Sequence, residues 1–256
     1  IHDGIMINRF HREPVIRAGE SLLQEKIPLG IMVSKEYKED IQPLDRDEIQ
    51  TQHIELRRVL ELGQGNPPKV HILTNGQYRI ILTETGIGYS SLGDMQITRW
   101  RMDQRNYGNF LFVRNIEGNE LWSTTHYPLI KEADGYRVIF SEDKAEFIRN
   151  DGNIETHTEV VVSPEHPVEI RHVTLTNHGT EDLELEVTSY AELILAPQSA
   201  DLAHPAFSNL FIRTEEADDF NGVLASRRPR EEGTDTRWSF HSVVVEGDRI
   251  GHFQYE

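Results

Sequence analysis

Beyond Lys69, apolar residues recur at every second position in short runs, and each run ends in turn-forming residues. The runs 70–73 and 78–83 flank Asn75-Gly76, a pair that readily takes the positive φ values of a tight hairpin turn. Runs 109–114 and 121–123 bracket Glu117-Gly118-Asn119, and run 136–140 follows Asp134-Gly135. Asn150-Asp151-Gly152 separates 145–149 from 154–162, and Asn177-His178-Gly179 turns 168–176 into 183–190. In that last run Leu183, Leu185 and Val187 alternate with Glu184, Glu186 and Thr188, which predicts one buried and one wet face. Period-2 runs with almost no helical stretches between them predict an antiparallel architecture of two packed sheets.

The first 68 residues follow other rules. Val15, Ala18, Leu22, Leu23 and Ile27 recur at helical spacing behind Pro14, and Pro28 and Gly30 end the pattern. One amphipathic helix cannot bury its apolar face alone, so residues 1–33 are expected to be a helical segment that packs on a partner. Residues 34–68 are polar, carry both charge signs and close on Gly63, Gly65, Asn66, Pro67 and Pro68. They read as a linker with a weak helix over 54–62. The chain opens at Ile1 inside patterned sequence, and Gln254-Tyr255-Glu256 falls within a strand pattern. An excerpt is expected, with the sandwich of 69–256 cut at its C-terminal end.

Composition narrows the partners. The 256 residues carry a formal net charge of −17, which repels phosphate backbones and anionic lipid, so neither nucleic acid nor a membrane surface is expected as a partner. There is no Cys, which excludes disulfides and thiol catalysis and suits a reducing, cytoplasmic setting. No apolar run approaches the length of a membrane span, and Ile1 opens no signal-peptide pattern. No catalytic set is complete. Glu155 and Glu159 share a strand face as a solvated stripe, and His157, His166, His172 and His178 have no compact spacing to a convergent acid. No metal or cofactor site is expected.

Several motifs in fixed order go beyond pattern: Thr85-Gly86-Ile87-Gly88-Tyr89-Ser90, Ile97-Thr98-Arg99-Trp100-Arg101, Glu120-Leu121-Trp122-Ser123 and Val161-Val162-Ser163-Pro164. After them come Leu175-Thr176-Asn177-His178-Gly179, Thr188-Ser189-Tyr190-Ala191-Glu192 and Ala203-His204-Pro205-Ala206-Phe207-Ser208. This series resembles the N-terminal sandwich of cellobiose and chitobiose phosphorylases. It is closer still to that of cyclic β-1,2-glucan synthases and 1,2-β-oligoglucan phosphorylases, all of glycoside hydrolase family 94. Met6-Ile7-Asn8-Arg9-Phe10-His11 and Ser21–Pro28 are similar to the last helices of the glucoamylase-like domain that precedes the sandwich in the synthases.

The resemblance implies a galactose mutarotase-like β-supersandwich beside an (α/α)₆ catalytic barrel of the same polypeptide. It further implies an inverting transfer of glucose between a β-glucan and inorganic phosphate in the parent protein, a possible homodimer, and a parent that could be tethered to the inner membrane. The general acid and the phosphate site belong to the barrel and map onto no residue here.

Sugar-contacting candidates follow from residue chemistry and from the resemblance together. Arg99, Trp100 and Arg101 mix an aromatic face for pyranose C–H surfaces with donors for hydroxyls. The plain alternative is a strand with Trp100 inward and both Arg outward. Tyr89 sits on a bend where Gly86 and Gly88 permit positive φ, a role that is structural or ligand-approaching. In the disaccharide phosphorylases the loop matching 197–207 reaches the acceptor sugar with a Gln-Arg pair. Here His204 and Pro205 stand in those places, with Asp201 nearby, or the loop is structural. Two rival functions remain: a stand-alone carbohydrate-binding module using Trp100, Trp122 or Tyr107, and a mutarotase-like enzyme needing a convergent His and Glu on one concave sheet.

Overall fold

Period-2 alternation is realised in a computed structural model as antiparallel strands throughout. It describes residues 57–62, 68–100, 108–203, 208–217, 220–229, 236–247 and 252–255. The expected helical segment 1–33 and most of the linker lie outside the described residues.

One five-stranded sheet runs β1 (Arg58–Leu60), β8 (Gly135–Phe140), β9 (Lys144–Asp151), β10 (Ile154–Val162) and β11 (Glu169–Asn177) in that order. A second runs β13 (Leu193–Ala196), β5 (Met95–Thr98), β4 (Gly88–Leu92), β3 (Tyr78–Thr83) and β2 (Val70–Thr74). Between them lies the main core: Leu73, Tyr78, Ile80 and Leu82 from one sheet meet Val138, Phe140, Ala145, Phe147 and Val160 from the other. Each of the Val, Leu, Ile and Phe side chains among them contributes about 1.5–3 kcal/mol on burial. A three-stranded sheet, β12 (Leu185–Ala191), β6 (Asn109–Asn115) and β7 (Glu120–Ser123), closes a second core of Val113, Trp122 and Ile154. A last sheet joins β14 (Ile212–Ala217), β15 (Gly222–Arg227) and β16 (Arg237–Ser242). The single described α-helix, α1 (Gln198–Ala203), lies between β13 and a 3₁₀ turn at Asn209–Phe211.

Two expectations are corrected. The weak helix at 54–62 is instead strand β1, with Arg58, Val59 and Leu60 paired to Phe140, Ile139 and Val138. The ladder satisfies the backbone along β8, Leu60 packs against the main core, and Arg58 lies over the Phe140 ring, 5.3 Å from its centroid. A few residues of isolated helix offer none of this. Val187 is expected inside but stands 48% exposed. The apolar cover from Ile154 and Leu175 reaches Leu183 and Leu185 and stops there.

The Gly86–Gly88 bend is partly as expected. Gly86 has φ +88, whereas Gly88 is needed for space, because a Cβ there would lie 2.1 Å from the Ile81 carbonyl oxygen.

Candidate functional site

The expected acceptor loop leaves β13 through an irregular stretch. The β13–β5 register shifts between Leu193 and Ala196, and Leu195 takes φ +46. Beyond Ala196 the chain forms α1 and returns through Ser208 to the 3₁₀ turn.

Two buried guanidiniums hold the feet of this segment. Arg99, 3% exposed at the end of β5, donates from Nη2 to Asp201 Oδ1 at 2.8 Å and to Asn209 Oδ1 at 2.7 Å. Its Nη1 lies 3.4 Å from Glu192 Oε2, and its backbone N–H donates to the Glu192 carbonyl at 2.7 Å. Arg227, at the end of β15, donates from Nη1 to the Ile194 carbonyl at 2.7 Å and reaches the backbone and hydroxyl oxygens of Ser208 at 3.4 Å. Its guanidinium also lies over the Phe211 ring at 5.2 Å. Asp201 on one side and Ser208 on the other are thus fixed to the sandwich by planar, multi-donor contacts.

The structure therefore brings Arg99 and Asp201 together and turns their charges toward each other. The strand alternative is also revised: Arg99 is the inward residue, and Trp100 is the half-exposed one. Trp100 stacks on Tyr89 with ring centroids 5.6 Å apart and 31° between planes. His204, Pro205, Arg101 and Tyr107 lie outside the described residues. Trp122 is closed as a platform. It is 1% exposed, and its indole N–H donates to Thr156 Oγ1 at 3.3 Å.

A second polar cluster was not foreseen. The Glu169 carboxylate accepts from the Tyr78 hydroxyl at 2.8 Å, the Ser90 hydroxyl, Asn109 Nδ2 at 3.0 Å and Arg171 Nε at 2.9 Å. Arg171 also donates to the Asn109 carbonyl at 2.9 Å. Burial alone would raise the Glu169 carboxyl, but Arg171 and the hydroxyls of Ser90 and Tyr78 outweigh it and hold it below the ordinary Glu range. His241 bonds Ser189 Oγ at 2.8 Å within the field of Glu169; burial, together with Arg171, lowers its pKa. The signal was present in the alternation, since Glu169 and Arg171 share the inward parity of Val173 and Leu175.

Contrary to expectation, His157 does meet acids. Its ring lies 3.3 Å from Glu146 Oε1, and with Glu159 these residues form a group whose donor atoms lie within 4.8 Å of one another. Lys144 already supplies a cation there, at 3.2 Å from Glu146 and 2.7 Å from Glu159. Glu146 faces Glu159 directly across β9 and β10, a pairing that periodicity alone does not reveal because it depends on register. Among the described residues, no helix is long and apolar enough to cross a membrane.

This arrangement of two facing antiparallel sheets extended by smaller ones is a supersandwich, and comparison agrees. Residues 58–255 match the family model described as glycosyl hydrolase 94, supersandwich domain, and the chain belongs to that family. Over its whole length it is 36% identical to the cyclic beta-(1,2)-glucan synthase NdvB of Rhizobium meliloti (strain 1021), of which it spans 9%. Over 91 residues, 36% of the chain, it is 31% identical to solabiose phosphorylase of Paenibacillus borealis, of which that stretch covers 12%.

Proposed function

We propose that this chain is the non-catalytic sandwich portion of a β-1,2-glucan synthase or glycoside phosphorylase, presenting the loop 197–208 to a β-glucan held by a catalytic (α/α)₆ barrel of the same polypeptide. The carrying observation is the pair of buried arginines. Arg99 and Arg227 fix Asp201 and Ser208, the described residues on either side of 204–207. His204 is the residue that contacts sugar hydroxyls, and Asp201 and Arg99 position the loop instead of touching the ligand. The parent reaction is glucosyl transfer between a β-glucan end and inorganic phosphate. The likeness to a cyclic glucan synthase over the whole chain favours the β-1,2 linkage.

The rival mutarotase-like reading needs a free acid next to a histidine. Glu169 is the acid near His241, but its four acceptor positions are filled by donors, which suits a clamp and not a general base.

Calorimetric titration of the chain with sophorose and longer β-1,2-glucans, run beside a phosphorolysis assay, tests the proposal. Millimolar or tighter binding without turnover, lost in His204→Ala, is the expected result. Turnover by the chain alone would refute the non-catalytic role, and absence of binding would refute sugar contact.

A further inference from the structure

Glu146, His157 and Glu159 present three ligand atoms that already converge. Glu146 and Glu159 are cross-strand partners on β9 and β10, on the face opposite Phe147 and Val160 of the main core. His157 lies two residues before Glu159, on the same face of β10. Its Nε2 stands 3.3 Å from Glu146 Oε1, and one ligand atom from each of the three residues falls within 4.8 Å of the others. Two ligands of a tetrahedral zinc ion are about 3.3 Å apart at bond lengths of about 2.0–2.1 Å. Small side-chain rotations therefore close the set, and the strands need not move.

The centre already takes a cation. Lys144 Nζ donates to Glu159 Oε1 at 2.7 Å and lies 3.2 Å from Glu146 Oε1. One ammonium balances only half the charge of two carboxylates, whereas a divalent ion balances both, and an ion pair with Lys144 has no use for the His157 ring. The lysine side chain is flexible and 31% exposed, so its ammonium can swing into water and leave the site open to solvent. On the far side, His172 Nδ1 meets the other Glu159 oxygen, Oε2, at 3.2 Å and orients the carboxylate, as outer partners of metal ligands do. An imidazole with two carboxylates suits a zinc-type ion, while calcium and magnesium favour oxygen alone.

We infer that Glu146, His157 and Glu159 form a zinc-type metal site on the outer face of β9 and β10, with Lys144 holding the place until the ion binds and a fourth position open to solvent. None of these residues belongs to the 197–208 loop, so the site stands whether or not that loop contacts glucan.

The test titrates the complete chain with Zn²⁺ in competition with a chromophoric chelator, with circular dichroism to check that each variant is folded. Saturable one-to-one binding is expected, weakened roughly tenfold or more in His157→Ala and in the near-isosteric Glu159→Gln. Lys144→Met removes the competing ammonium, so its affinity should rise, and added Zn²⁺ should restore the melting temperature that this variant loses. No saturable binding by either the wild type or Lys144→Met overturns the site. Binding left unchanged by both His157→Ala and Glu159→Gln marks an adventitious ion only and overturns it equally, as does a weaker affinity in Lys144→Met.

Discussion

Replacing Arg99 by Met should be among the most damaging single changes in the domain. The side chain is 3% exposed and its partner Asp201 is 2% exposed, so both charges are desolvated and in contact at 2.8 Å. Removing the guanidinium takes from a buried carboxylate its donor at 2.8 Å, a loss of about 3–5 kcal/mol. For a domain of this size each kcal/mol lowers Tm by about 2–4 °C, so the fall is roughly 6–20 °C. Urea unfolding followed by fluorescence, with circular dichroism as a second probe, measures it directly. The companion Arg99→Met/Asp201→Leu removes both charges and should recover much of the loss, since an apolar pair tolerates the same burial. A loss below about 1 kcal/mol in the single variant is what a solvated surface pair would give, and would refute the anchoring of the loop. Failure of the double variant to recover would place the effect on Asn209 or Glu192 instead.

Gly88→Ala should cost about 3 kcal/mol, seen as a drop in urea midpoint, because its Cβ would press on a backbone carbonyl that cannot swing aside. Lys144→Met leaves Glu146 and Glu159 opposed across the strands; with the ammonium partly exposed the loss should be about 1 kcal/mol, reversed by adding Glu146→Gln. Acidification should destabilise in two stages in a melting series. Burial depresses His71, aided by Arg58, and His126, aided by Arg149, so the unfolded chain takes up protons first and stability falls as pH drops below about 6.5. Glu159, lowered by its bonds from Lys144 and His172, and Glu169 hold their contribution above about pH 4.3 and lose it as pH falls further. Stability flat from pH 7 to 5 would contradict the first stage.

Alternation located β2, β3 and β6 to β12 because each has a run long enough to show period 2. It did not locate β1, whose three residues gain stability only from the distant β8. Nor did it announce β4 and β5, where Gly86, Gly88 and Gly93 dominate the local composition. The likeness to related sandwiches pointed to the 197–207 loop, but nothing in the sequence pointed to the arginines beside it. Arg99 and Arg227 lie more than a hundred residues apart and look like surface cations until the fold buries both. Register likewise made Glu146, His157 and Glu159 neighbours, where sequence spacing had separated them.

The Glu169 clamp has a consequence for how the chain reaches this state. Its bonds to Tyr78, Ser90 and Asn109 span 91, 79 and 60 residues, so no early fragment of the chain can form it. Contacts of such sequence separation carry a large loop-closure entropy and form late, which places this topology among the slow folders. Once made, the same carboxylate links strands from three sheets, so none of them can peel away without exposing a buried charge. Slow assembly thus follows from the topology, and the clamp adds a shared cost to the opening of any of the three sheets.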